Sequence, residues 1–252
     1  MKPGPRDSKR QTVLLAADVG SYSITIVNLA VDMAAAADTQ LLGLFVEDED
    51  LLQVSGLPCT REITLTTARE RPTSTDQMQR SMRSVAQHFK QTLQQEAQAL
   101  QIVWRFDTIR GRMRDIGLKP VENEAYIILG QSISHQLPAR KPHGPRRILV
   151  VDDHSLHYLH ALEVLLRRFA PQDIEVALVR ADPASEVSTG IAQQIKTRDK
   201  GVKLLEFKRE QLFDLLQRAG SSFDCAIVSK FEPVEELQRI LERLRCPVIL
   251  VA

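Results

Sequence analysis

Apolar residues occur along the chain in two alternating patterns, short unbroken runs and stripes spaced by threes and fours. In the first half the runs cover 13–17, Leu41-Leu42-Gly43-Leu44-Phe45-Val46, Ile102-Val103-Trp104 continuing to Ile109, and Ala125-Tyr126-Ile127-Ile128-Leu129. In the second they cover 148–151, 174–179, 202–207, 225–228 and 247–251. Between them lie helical stripes. Ile24, Val27, Ala30 and Val31 form one, and Leu159, Leu162, Leu165 and Leu166 another. Others fall near 186–197, 211–218 and 234–244, and the longest runs Met78, Met82, Val85, Phe89, Leu93, Leu100 with Gln and Arg on its opposite face. Strands that are apolar on both faces and alternate with helices predict an α/β fold, a parallel sheet covered on both sides with right-handed crossovers.

The pattern occurs twice. Val13-Leu14-Leu15-Ala16-Ala17-Asp18, followed by Val19-Gly20-Ser21, returns as Ile148-Leu149-Val150-Val151-Asp152-Asp153, followed by His154-Ser155. Each copy is a buried-strand run closed by a carboxylate and leading into a helical stripe, which predicts a duplicated domain. The expected organisation is a first domain over 1–137, a linker over 138–147, and a second domain over 148–252. The linker holds three prolines and four basic residues, which predicts an extended, solvated segment.

Charge adds little pull toward any one partner. The 252 residues carry 33 Lys+Arg and 32 Asp+Glu, a net charge of +1, so no protein-wide field draws nucleic acid or an anionic membrane. The linker lacks the interleaved aromatics of a nucleic-acid tether. Cys59, Cys225 and Cys246 form no CxxC pair, which argues against a disulfide framework or a structural zinc site. The amino terminus has no apolar signal core, and no apolar run reaches the roughly 18 residues of a spanning helix. The expectation is a cytoplasmic protein with reduced thiols. No Gly-x-Ser-x-Gly, His-Glu-x-x-His or Walker loop is present, and no enzymatic activity is expected.

On these residues the chain resembles a tandem universal stress protein. The likeness rests on the strands ending in Asp18 and Asp153, followed by Ser21 and Ser155. It also rests on the strand end Leu41-Leu42-Gly43-Leu44-Phe45-Val46-Glu47-Asp48 and on the terminal Cys246-Pro247-Val248-Ile249-Leu250-Val251. The resemblance implies two open five-stranded parallel sheets in the order 3-2-1-4-5, and a stress-responsive regulator that works through a protein partner or self-association. No fifth strand is legible between Leu129 and the linker, so the first domain is expected to have a short sheet or to borrow a strand.

Some members of that family bind ATP through a Gly-x-x-Gly followed about nine residues later by Gly-Ser or Gly-Thr after the fourth strand. Here Gly130 matches the first glycine, but Gln131-Ser132-Ile133-Ser134-His135 follows, so the phosphate cradle of the first half is expected to be lost. In the second half Ser229-Lys230-Phe231-Glu232-Pro233-Val234-Glu235-Glu236 has no glycine and places three carboxylates there with Lys230 alone to offset them. Asp18 and Asp153 match the family's nucleotide-contacting aspartate, and a carboxylate at a strand end serves equally as a cap.

The remaining candidate is Arg110-Gly111-Arg112-Met113-Arg114, which follows the third strand and therefore lies at the carboxyl edge, where ligands of open α/β folds bind. Guanidinium forks suit phosphate or carboxylate, so Arg110, Arg112 and Arg114 could serve a small anionic ligand. The competing reading is a solvated loop balancing Glu47, Asp48, Glu49 and Asp50. His154, His157 and His160 stand at a spacing that cannot bring three imidazoles onto one metal ion. A phosphorylation receiver is disfavoured because the third strand of the second half leads into Lys208, where an acceptor aspartate is required.

Overall fold

A computed structural model describes residues 11–64, 69–118, 124–131, 145–151, 157–170, 172–180, 193, 195, 201–220 and 222–251. The N-terminal half runs β1 (Thr12–Ala17), α1 (Ile24–Ala36), β2 (Gln40–Asp48), α2 (Glu49–Ser55), β3 (Arg61–Thr64) and β4 (Arg69–Pro72). It continues through α3 (Thr75–Ala99), β5 (Trp104–Gly111), α4 (Met113–Leu118) and β6 (Glu124–Leu129). The C-terminal half runs β7 (Arg146–Val151), α5 (His157–Phe169), β8 (Ile174–Arg180), β9 (Val202–Lys208) and a 3₁₀ turn at Arg209–Gln211. It ends with α6 (Leu212–Ala219), β10 (Cys225–Ser229), α7 (Val234–Arg243) and β11 (Val248–Val251).

β3 and β4 form a separate antiparallel pair, and the other nine strands build one sheet in the order β5-β2-β1-β6-β11-β10-β7-β8-β9. Every neighbouring pair in that sheet is parallel except β6 and β11. That junction sets Val248 against Leu129, Ile249 against Ile128, Leu250 against Ile127 and Val251 against Tyr126. The side of β6 for which no fifth strand is legible is therefore occupied by the last strand of the chain. Because the junction is antiparallel, the carboxyl ends of the two sets of parallel strands open at opposite edges of one sheet.

Side-chain alternation sends successive strand residues to opposite faces, and each face has its own core. Val13, Leu15, Phe45, Ile128, Ile148, Val176 and Ile249 pack under α1, α3 and α5. Leu14, Ala16, Val46, Ile127, Leu149, Val228 and Leu250 pack under α4, α6 and α7. Both layers bridge the junction: α1 lies against α5 on one face and α4 against α7 on the other. Arg168 of α5 is ion-paired to Asp32 of α1, and the Lys230 ammonium donates to the Gly117 carbonyl of α4. α1 is buried around much of its circumference because it meets the sheet, α3 and α5 at once.

Helix ends follow local chemistry. Ser23, Asp48 and Ser74 cap α1, α2 and α3, each side chain accepting from backbone N–H groups of the first turn. α1 and α3 stop in a left-handed residue that is not glycine, Asp38 (φ 49°) and Gln101 (φ 58°). Thr39 N–H donates to Ala34 O at 3.0 Å and Ile102 N–H to Ala97 O at 2.9 Å, the six-to-one bonds of a Schellman ending.

Some expectations shift. β7 begins at Arg146, so Arg146 and Arg147 are strand residues rather than linker. Arg146 pairs with Asp224 and Arg147 with Glu175, each at 2.9 Å. β5 begins at Trp104, leaving Ile102 and Val103 before the strand. Arg114 lies on a helix, α4, where a loop was expected, while Arg110 and Gly111 still belong to β5. The segment near 186–197 lies outside the described residues except for 193 and 195, which are helical. The linker residues 138–144 also lie outside them.

Candidate functional site

At the carboxyl edge of β1, β2, β5 and β6 a cleft of about 430 Å³ brings together Asp18, Gly130, Arg112 and Arg114. Asp48 and Asp50 from the end of β2 and the start of α2 line it too. Its far wall comes from the other half: Gln238, Leu241 and Glu242 on α7, and Arg245 just beyond it. The antiparallel junction explains this wall, since Val248 at the start of β11 lies opposite Leu129 at the end of β6. Sequence reasoning missed these four residues. They belong to a distant segment, and only the register of β6 on β11 brings them here.

The polar groups around the cleft are largely committed to one another. Asp18 Oδ1 accepts from Gly20 N–H at 2.9 Å, from Ser21 N–H at 2.8 Å and from the Ser21 hydroxyl at 2.8 Å. That carboxylate closes the turn between β1 and α1. Asp48 Oδ1 accepts from Asp50 N–H at 2.8 Å and Leu51 N–H at 3.2 Å, capping α2. Arg112 donates through Nε at 3.1 Å and Nη2 at 2.8 Å to Asp50 Oδ1. The hydrogen bond to Asp50 and the charge of that carboxylate raise the Arg112 guanidinium above its ordinary pKa. Arg110 does not line the cleft and reaches Glu47 at 3.4 Å. Arg114 approaches its neighbour Asp115 at 3.8 Å. Glu242 accepts from Gln238 at 2.9 Å.

Gly130 has a steric reason to be glycine. Its N–H donates to Ala16 O at 2.9 Å, and a Cβ there would stand 2.9 Å from Ser21 Cβ and 2.8 Å from Ile26 Cδ1. The strand end thus lies directly on the Asp18–Ser21 turn.

Asp153 falls outside the described residues. At the corresponding edge of the C-terminal half, Lys230 turns away to the Gly117 carbonyl. Two of the three carboxylates there, Glu232 and Glu236, are paired with Arg209. Burial alone would lower the Arg209 pKa, but the two carboxylates outweigh it and raise it. His160 lies beside Tyr126 across the junction, ring centroids 6.1 Å apart, and among the described residues no cluster of His, Cys, Asp and Glu is placed to hold a metal ion. Among the same residues no helix is long and apolar enough to cross a membrane.

No family model matches the chain, and no curated protein matches it. Among solved structures it is similar to a candidate universal stress protein from Pseudomonas aeruginosa UCBPP-PA14, at 10% identity and a TM-score of 0.42, covering 96% of this chain and 93% of that one. A protein of unknown function from Pseudomonas aeruginosa PAO1 is similar at 11% identity and a TM-score of 0.43, covering 96% and 92%. The cyclodipeptide synthase AlbC from Streptomyces noursei is a weaker match, at 10% identity and a TM-score of 0.25 over 82% of this chain and 99% of that one.

Proposed function

We propose that the chain is a non-catalytic regulatory protein of the universal-stress-protein type, built from two α/β halves, that acts through protein contacts and no longer holds ATP. The observation that carries this reading is the internal pairing of the carboxyl edge. Asp18 is spent on the Ser21 turn, Arg112 on Asp50, and Gly130 on close packing against Ser21. A phosphate needs free N–H groups and uncompensated positive charge. The cleft instead sets Asp18, Asp48, Asp50 and Glu242 against Arg112, Arg114 and Arg245.

The wall contributed by α7 supports a role in binding without chemistry. It adds Leu241 to Met113, Leu118 and Leu129, so the cleft is lined by apolar and charged residues together, a combination suited to a protruding side chain of a protein partner. The second reading, a small-anion or nucleotide sensor at this edge, has one observation in its favour: Arg245 has no ion-pair partner among the described residues.

Isothermal titration with ATP, ADP and AMP, together with native mass spectrometry of the purified protein, separates the two. The expected result is the bare chain mass and no heat of binding at millimolar nucleotide. Co-purified adenosine phosphate, or saturable binding abolished by Arg112→Glu, would establish the sensor instead.

A further inference from the structure

The two outer strands of the sheet, β5 and β9, treat their charges differently. On β9, Glu206 pairs with Arg180 at 3.1 Å and Lys203 approaches Glu175 at 3.9 Å, so these two charges, the acid and the base in the body of the strand, are met inward by β8. On β5, Arg110 pairs inward with Glu47. Arg105 and Asp107, two residues apart and therefore on the same face, are both exposed and have no ion-pair partner among the described residues. Val103, just before the strand, is 54% exposed, and the aromatic rings of Trp104 and Phe106 are half-buried.

Backbone direction fixes which groups β5 offers outward. Leu41 N–H donates to Val103 O at 2.9 Å, and Leu41 stands opposite Trp104 in the parallel register with β2. In a parallel ladder, alternate residues turn both N–H and C=O to the same neighbour. The odd-numbered residues of β5 therefore bond β2, while Trp104, Phe106, Thr108 and Arg110 present their backbone groups to the unpaired side.

We propose that β5 is the interface between two copies of this chain, paired antiparallel about a two-fold axis at Phe106. Only registers that set even residues against even residues satisfy the outward backbone groups. Centring the axis on Arg105 or on Asp107 would place like charges directly opposite each other. Centring it on Phe106 places Arg105 opposite Asp107 of the second copy twice over, at non-hydrogen-bonded positions, where facing side chains come closest. The same register sets Val103 opposite Ile109, Trp104 opposite Thr108, and Phe106 opposite Phe106, covering the apolar residues this edge leaves open. This inference is independent of the cleft and of its reading, and it names a second copy of this chain as the partner.

Sedimentation velocity on the full chain tests it, using wild type, Arg105→Asp, Asp107→Arg, the double variant, and an equimolar mixture of the two single variants. The wild type is expected to form a reversible dimer. Each single variant sets like charges against each other and weakens the dimer about tenfold or more. The double variant restores opposite pairs and recovers dimerisation. The mixture dimerises as well, because one chain then offers two acids and the other two arginines; that recovery also shows both variants to be folded. A monomeric wild type, single variants that dimerise like wild type, or failure of both the double variant and the mixture to recover would each overturn the proposal.

Discussion

Single residues at the candidate site do structural work that their type alone does not disclose. Gly130 reads as a phosphate glycine by position, yet the structure gives it a packing role against Ser21 and Ile26. Gly130→Ala should therefore lower stability by about 1–3 kcal/mol, the range for overpacking, with the loss read from urea denaturation and no ligand present. Gln101 is the converse case, a residue with side-chain bulk in left-handed backbone at the end of α3. Gln101→Gly should raise stability, by up to about 1 kcal/mol in the same measurement, because glycine adopts that backbone without a Cβ penalty. The thiols are separated by burial. Cys59 is exposed while Cys225 and Cys246 are buried, with burial pushing Cys225 up to about 12 and Cys246 well above its ordinary value. Burial also raises Tyr126 to about 12. These groups hold their protons in the fold at pH values where the unfolded chain releases them. Their contribution is thus fully present below about pH 9 and is lost as pH rises toward 12. Denaturation midpoints that fail to fall across that window would contradict the assignment.

At the scale of elements, the apolar runs and stripes located every strand of the nine-stranded sheet, because strands buried on both faces leave an unmistakable signature. Shorter or more polar elements escaped. α2 opens on Glu49 and Asp50, the hairpin of β3 and β4 is rich in Arg and Glu, and α4 is six residues of mixed character. None strings together enough apolar residues to set a periodicity. The Arg110–Arg114 run was legible as charge balance, and Arg110–Glu47 and Arg112–Asp50 are two such pairs. The helix contacts across the junction differ in weight. The Asp32–Arg168 pair is partly exposed, so Asp32→Ala should cost no more than about 1 kcal/mol. Leu250 is fully buried in β11 between α4, α7 and β6. Leu250→Ala should cost about 2–5 kcal/mol, and calorimetry should show it lowering the transition of the whole chain.

For the whole molecule, the decisive feature is the one pairing that periodicity cannot express. The sequence shows two similar strings of strands and a missing fifth strand, but not that β11 turns antiparallel onto β6. Strand partners are set by which faces and edges remain to be covered, a property of the assembled sheet. The same pairing carries Gln238, Leu241, Glu242 and Arg245 to the cleft, so the composite wall of the site depends on it. Native-state hydrogen exchange followed by peptide mass spectrometry tests this junction directly, by comparing peptides that contain Ala125–Leu129 and Val248–Val251 with those of the outer strand β9. A continuous sheet predicts that β6 and β11 exchange together, in the slowest class with β1 and β10. Exchange of either strand as fast as β9 would show that the halves do not share their sheet.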